Sequence, residues 1–409
     1  MRHLVGGISS AGRALPQFGN QSMLIDRAAG PYLWTESGDR YIDTAVGFGA
    51  TMLGHNVPEV VEAVARTQQR MMMPAFAHAL EEDAAAALAA CTGPLSKVIF
   101  VNTGSEAVHL ACRTARAATG KTGIAKFAAG YDGWYDQVAF GNAGSADAAM
   151  ASDERPVRDG MALLRYNDFA DVDRLFAENA DLAALLIEPV LANAGCIEPA
   201  PGYLKYVADC AHRHGALVIL DEVLMGFRLH AGLAGHLFGI EADMATVGKA
   251  IGSGVPVAAL VGQPSVMQHL ESGAVIRAGT YSGNPPVCAA VLATMRLLRE
   301  QDYTTLLARG DAVRAAITAR FAEAGQTIAT SGYGTVFTLW PAPQAPVDYA
   351  QAATFANNDW TRQLHFALRD RHVLTMPFAF GRVYLSFAHT TEVMTQLTDA
   401  YADAAIVGH

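Results

Sequence analysis

ALVILDEV, Ala216–Val223, is the stretch on which the fold turns. Five consecutive apolar residues ending in an aspartate read as a buried strand with its polar group at the exit. The segment before it, Gly202 to His214, places Leu204, Val207, Ala208 and Ala211 on one helical face, and Gly215 is a suitable residue to close that helix. Working outward, ALLIEPV (Ala184–Val190), KVIFV (Lys97–Val101), MATVG (Met244–Gly248) and VPVAALVG (Val255–Gly262) read as further strands, and a helix is expected from about Gly104 to Thr119. Strands alternating with helices predict an α/β fold with a mostly parallel central sheet covered on both faces. From about Gln301 two long helical patterns flank TVFTLW (Thr335–Trp340) and VYLSFA (Val383–Ala388), which suggests a smaller α+β domain. YLW and RYID near the start read as short strands packed against another part of the chain. The expected division is 1–45 as a segment joining the small domain, 46–300 as the large domain and 301–409 as the small domain.

The 409-residue chain is long enough for a large core, with 51% hydrophobic and 17% charged residues. Its net charge is −10 and it has no basic block, which argues against nucleic acid or an anionic membrane as partner. No apolar run suggests a signal peptide or a membrane span. Five scattered cysteines without a CxxC pair read as reduced thiols of a cytoplasmic protein. No metal site is expected: His212 and His214 read as surface or capping residues.

Ligands of open parallel sheets bind beyond the carboxyl ends of the strands. Three features meet that condition. Asp221 follows an apolar strand and is costly to bury alone. Lys249 follows MATVG in a glycine-rich apolar stretch. NTGSEA (Asn102–Ala107) lies at a strand-to-helix turn, where Thr103, Gly104 and Ser105 could present N–H groups and hydroxyls to a phosphate. Taken singly, each has an ordinary structural explanation: a cap or ion pair for Asp221, a snorkelling lysine, a capped helix. A phosphate cradle, a buried carboxylate and a buried amine together are what pyridoxal 5′-phosphate requires. The glycines at 248–254 do not form a GxGxxG opening a helix, so a nicotinamide-dependent oxidoreductase competes poorly.

FVNTGSEAVHLACRTARAATG, GYDGWYD, LLIEPVLANAGCIEPAPGYL, VILDEVLMGFR, TVGKAIGSGVPVAAL and GTYSGNPPVCAA occur in the order and spacing of class III aminotransferases, which the chain resembles over nearly its whole length. GGISSAGRA and YLSFAHT narrow the resemblance to the glutamate-1-semialdehyde aminomutase group and its aminotransferase relatives. The resemblance implies the fold type I architecture of PLP-dependent transferases. It also implies a Schiff base on Lys249, contact of Asp221 with the pyridine nitrogen, phosphate binding by Gly104 and Ser105, stacking of Tyr131 on the ring, and Asn193 near the phenolic oxygen. It further implies a homodimer with shared active sites in which Thr280 reaches the neighbouring subunit's phosphate. Arg13 falls where these relatives hold a substrate carboxylate, a role suited to a guanidinium. Phe48 matches a pocket aromatic, and Trp134 is a weaker candidate for the same wall.

Three departures stand out. Asp132 replaces the histidine of a GYHG-like motif. Met225 replaces a small polar residue. Gly381 lies where the aminomutases carry a glutamate, while Phe378 and Phe380 suggest a more apolar pocket. The reading is therefore an aminotransferase moving an amino group to a keto acid or aldehyde, with a carboxylate-bearing, aromatic or β-amino substrate. The alternatives are an aminomutase or racemase, and, from another class, an inactive relative serving as a binding protein. An inactive relative has no use for Lys249, Asp221 and Tyr131 together.

Overall fold

The computed structural model describes residues 3–16, 23–150 and 154–407. Strands β1 (Ile25–Ala29), β2 (Tyr32–Thr35) and β3 (Arg40–Asp43) form an antiparallel meander, with Gly30 supplying a positive φ of 54° between the first two. The large sheet comprises β4 (Lys97–Val101), β5 (Gly123–Phe127), β6 (Val157–Arg158), β7 (Met161–Leu164), β8 (Leu182–Ile187), β9 (Leu217–Glu222), β10 (Met244–Val247) and β11 (Ala258–Gly262). Their order is β4-β11-β10-β9-β8-β5-β7-β6. The run from β10 to β7 is parallel, while β11 is antiparallel to both neighbours and β6 to β7. The sheet is thus mixed, and VPVAALVG, expected among its parallel strands, runs the other way.

Both faces are covered, which accounts for the unbroken apolar runs. On β8, Leu185 and Ile187 enter one core while Ala184 and Leu186 enter the other, as a period of two demands. The Tyr203–Arg213 helix buries Leu204, Val207, Ala208 and Ala211 in the first core. The Gly104–Thr119 helix buries Val108, Ala111, Cys112 and Ala115 in the second. Gly120, with φ 69°, closes that helix by donating its N–H to Arg116 O at 2.9 Å.

The C-terminal part adds β12 (Ala329–Tyr333), β13 (Val336–Trp340), β14 (Val373–Leu374) and β15 (Val383–Tyr384), flanked by helices Tyr303–Glu323 and Thr391–Val407. β14 joins β3 in parallel, so the two ends of the chain share one sheet and build the smaller domain together. YLW and RYID find their packing partner there.

Candidate active site

Asn102, Glu188, Asp221 and Lys249, at or just beyond the exits of β4, β8, β9 and β10, face a cavity of about 360 Å³. Thr103, Gly104, Ser105, Tyr131 and Asn193 line it too. The sheet positions the two central groups. Thr246 lies opposite Asp221 across the β9–β10 ladder, and Lys249 follows that strand by two residues. Asp221 Oδ1 accepts the Val223 N–H at 2.9 Å and the Thr246 hydroxyl at 3.2 Å. Oδ2 has no hydrogen bond among the described residues, which leaves an acceptor for a ligand. Burial raises the Asp221 pKa, and the Asp132 charge adds to the effect. Burial lowers that of Lys249 against the opposing pull of Asp221, with the nearby Arg382 cation contributing. Lys249 has φ 43°, a left-handed conformation rare for a side-chain-bearing residue.

The phosphate cradle differs in one respect from expectation. Thr103 is the N-cap of the Gly104–Thr119 helix: its hydroxyl accepts the Glu106 N–H at 3.2 Å, and its own N–H goes to Glu106 Oε2 at 2.9 Å. Glu106 takes the Asn102 N–H as well, at 2.8 Å. The outward donors of the turn are therefore the N–H groups of Gly104 and Ser105. Ser105 Oγ accepts the Trp134 N–H at 3.3 Å, tying the phosphate turn to the aromatic turn. Gly104 fits closely: a Cβ there would stand 3.0 Å from Val223 Cγ1.

Tyr131 is 44% and Trp134 74% exposed, both on the cavity rim. Phe48 and Arg13 lie outside the lining. Phe48 sits in a run of four positive φ angles, Val46 49°, Gly47 58°, Phe48 56° and Gly49 87°. Asp43 holds this left-handed turn by accepting the Ala45 and Val46 N–H groups at 2.8 and 3.0 Å, and Arg228 donates to Gly49 O at 2.7 Å. Arg13 ends a short 3₁₀ turn, Ala11–Arg13, whose Gly12 faces the Phe48 ring; a Cβ at Gly12 would be 3.6 Å from Phe48 Cζ. Thr280 is exposed and lies outside the cavity of its own chain, next to Gly279 and Ser282, which line a separate cavity of about 550 Å³ with His109 and Arg113.

Several functional positions escape a reading of the sequence. Glu188 directly follows β8 but fell inside the strand expected over Ala184–Val190; it is buried and accepts the Tyr131 N–H at 2.6 Å. Gly254–Val257 enter the lining because β11 is reversed, so its entry faces the cavity. Lys126, within β5, carries no local signal. Phe378 and Phe380 are a correction. Phe380 packs on Trp340 and Tyr349, at 6.1 and 5.9 Å between ring centroids, and Phe378 lies beside Met376 in the small domain, so neither lines the cavity. Met225 is buried in a core cluster. His212 meets Asp243 at 2.9 Å, a carboxylate from beyond the next strand that sequence proximity did not reveal. Among the described residues no His, Cys, Asp and Glu group is arranged to hold a metal ion, and no helix is long and apolar enough to cross a membrane.

The family model "Aminotransferase class-III" matches residues 16–333. The chain belongs to that family of PLP-dependent, fold type I enzymes. Its sequence is 35% identical to glutamate-1-semialdehyde 2,1-aminomutase of Rhodopirellula baltica, over 98% of this chain and 92% of that protein. Its structure is similar to that of a transaminase solved with PLP bound, at TM-score 0.87 and 26% identity, covering 98% of this chain and 94% of that one. It is also similar to a β-phenylalanine aminotransferase of Variovorax paradoxus, at TM-score 0.86 and 26% identity, covering 98% and 90% of the two chains. The residues present fit the cofactor. The free Asp221 oxygen, the Lys249 amine, the outward N–H groups of Gly104 and Ser105 and the exposed ring of Tyr131 border one cavity of suitable size.

Proposed function

We propose that this class-III enzyme is an aminotransferase that moves an amino group from a carboxylate-bearing amino compound to a separate carbonyl acceptor. Bound PLP supplies an electrophilic carbon for the amine and a ring that accepts electrons. Gly104 and Ser105 would bind its phosphate with their N–H groups, Tyr131 would cover one face of the ring, and Asn193 would meet the phenolic oxygen. Asp221 would hold a proton at the ring nitrogen with its unshared oxygen. Lys249 is the base. Its depressed pKa keeps more of the amine neutral near pH 7 than in an exposed lysine, and from one position it can take a substrate proton and return it to another carbon. Arg13 would orient the substrate carboxylate, with Phe48 and Trp134 as apolar walls. Ile276 and Tyr281, 71% and 66% exposed beside Thr280, support cover by a second copy of the chain that brings Thr280 to its partner's phosphate.

Gly381 is the observation that carries transfer between two molecules. A Cβ there would stand 2.7 Å from both Met376 O and Phe378 O, so the turn has no room for the glutamate of the aminomutase pattern. The second reading, transfer within one molecule, is favoured by the likeness to the Rhodopirellula baltica aminomutase, which has the highest identity of the three relatives named. Visible absorbance during titration with amino acids, without keto acid, separates the two. Bleaching of the cofactor band with one carbonyl product per site supports the aminotransferase. A stable band with conversion of a single substrate to its isomer supports the aminomutase. Absence of a band after adding PLP would overturn the role given to Lys249.

A further inference from the structure

Asp132 stands where the resemblance expects histidine, and the structure gives it a dedicated partner. Asp132 Oδ2 is 2.8 Å from Lys126 Nζ, with both side chains withdrawn from solvent at 3% and 0% exposure. Lys126 also donates to Val138 O at 2.8 Å, Gly130 O at 3.1 Å and Asn142 Oδ1 at 3.2 Å, so its ammonium is fully engaged. Two carboxylates converge above Gly130. A Cβ on that glycine would lie 2.9 Å from Glu188 Oε1 and 3.4 Å from Asp132 Oδ2. Three consecutive residues are thereby clamped: the Gly130 carbonyl and the Asp132 carboxylate by Lys126, and the Tyr131 N–H by Glu188. Asp132 and Glu188 line the same cavity as Asp221.

We infer that the Lys126–Asp132 pair is a positioning element beneath the cofactor site: it fixes the Tyr131 turn, and its carboxylate, the member of the pair on the cavity wall, supplies part of the negative field that retains a proton at the ring nitrogen facing Asp221. This rests on the PLP reading above. The groups facing Asp132 are Lys126 on β5, Glu188 beyond β8, Asp221 on β9, and Cys112 with Tyr135 from the helix side. Burial first and the Asp132 charge second raise the pKa of both Glu188 and Asp221, while Lys126 pulls that of Glu188 the other way. Lys249 is the one lysine or arginine that lines this cavity, and its amine is the group that would bond to the cofactor.

The test compares Asp132→Asn with the double variant Lys126→Gln/Asp132→Asn, which replaces the ion pair by a neutral hydrogen-bonded one. The readouts are Tm of the apoprotein, the dissociation constant for added PLP, and the pH titration of the visible band. The single variant is expected to melt well below wild type, because it strands a buried ammonium. The double variant should recover most of that Tm, yet bind PLP about tenfold more weakly and titrate about one pH unit lower, since one unit is a tenfold change. Recovery of Tm with wild-type affinity and titration would reduce the pair to a structural role and overturn the inference. Should the double variant not fold, Asp132→Glu decides. It keeps the charge while displacing the turn, so weaker PLP binding with an unmoved titration supports the inference, and a titration lowered by about one unit overturns it. Failure of the PLP reading is distinguishable, because wild type itself would then show no band.

Discussion

Thr246 donates its hydroxyl to Asp221 Oδ1 from the opposing position of the adjacent strand, at 3.2 Å. With the Val223 N–H on the same oxygen, this bond turns Oδ2 toward the cavity. Asp221→Asn retains an acceptor for both donors and loses only the charge. It should fold normally and lower kcat about 10²–10³-fold, the range for removing one preorganised electrostatic group. Thr246→Val should cost less, about tenfold, through a misdirected carboxylate. Steady-state kinetics beside circular dichroism of both variants checks this.

Lys249→Ala should replace the band of lysine-linked cofactor by that of free PLP and lower turnover at least about 10³-fold, since nucleophile and base are lost together. PLP should still bind without a covalent link. Equilibrium dialysis of the variant tests this; an undiminished turnover would point to another amine.

The pH dependence of stability has a definite sign at Glu188. Its folded pKa is raised well above 4.5 by burial and by Asp132. The folded chain then holds more protons than the unfolded chain once pH exceeds about 4.5. Glu188 therefore contributes stability that is fully present below that pH and is lost as pH rises through its folded pKa. The slope is at most about 1.4 kcal/mol per pH unit for one proton. Glu188→Gln does not titrate, so the Tm of the wild-type apoprotein should fall relative to the variant between pH 5 and 8. Equal slopes would show that Glu188 is ionised throughout.

Gly381→Glu should not create an aminomutase. Two carbonyl oxygens at 2.7 Å leave its Cβ no room, and the turn must shift. A loss of about 1–3 kcal/mol is expected, as for overpacking elsewhere, with no gain of isomerase activity. Denaturant unfolding and a single-substrate assay measure the two parts. A stable variant that isomerises its substrate would move this enzyme to the intramolecular reading.

The strands around Asp221 were legible because a sheet covered on both faces needs unbroken apolar runs, and because Asp221 and Lys249 interrupt that apolarity at the strand exits. Glu188 obeys the same rule, but the strand expected over Ala184–Val190 runs past it, whereas β8 ends at Ile187. The direction of β11 was not legible, since Ala258–Gly262 is equally apolar read either way. The left-handed turn at Val46–Gly49 was hidden because Val46 and Phe48 seldom adopt such angles; contacts with Asp43 and Arg228 impose them. Lys126 and Asp132 were opaque for a similar reason. Neither residue predicts burial alone, and each is tolerated inside only because the other is there. The apolar pocket expected from Phe378 and Phe380 failed because Phe380 packs on Trp340 and Tyr349 and Phe378, 38% exposed, borders a different pocket of the small domain.

The reversal of β11 makes the two ends of one strand unequal places to graft new sequence. Residues added ahead of Ala258 would enlarge or redirect the wall formed by Gly254–Val257, and with it the range of amines admitted. Residues added after Gly262 would emerge on the opposite rim and leave catalysis untouched. A designer seeking altered selectivity would diversify the entry of that strand and place tags or fusion joints at its exit.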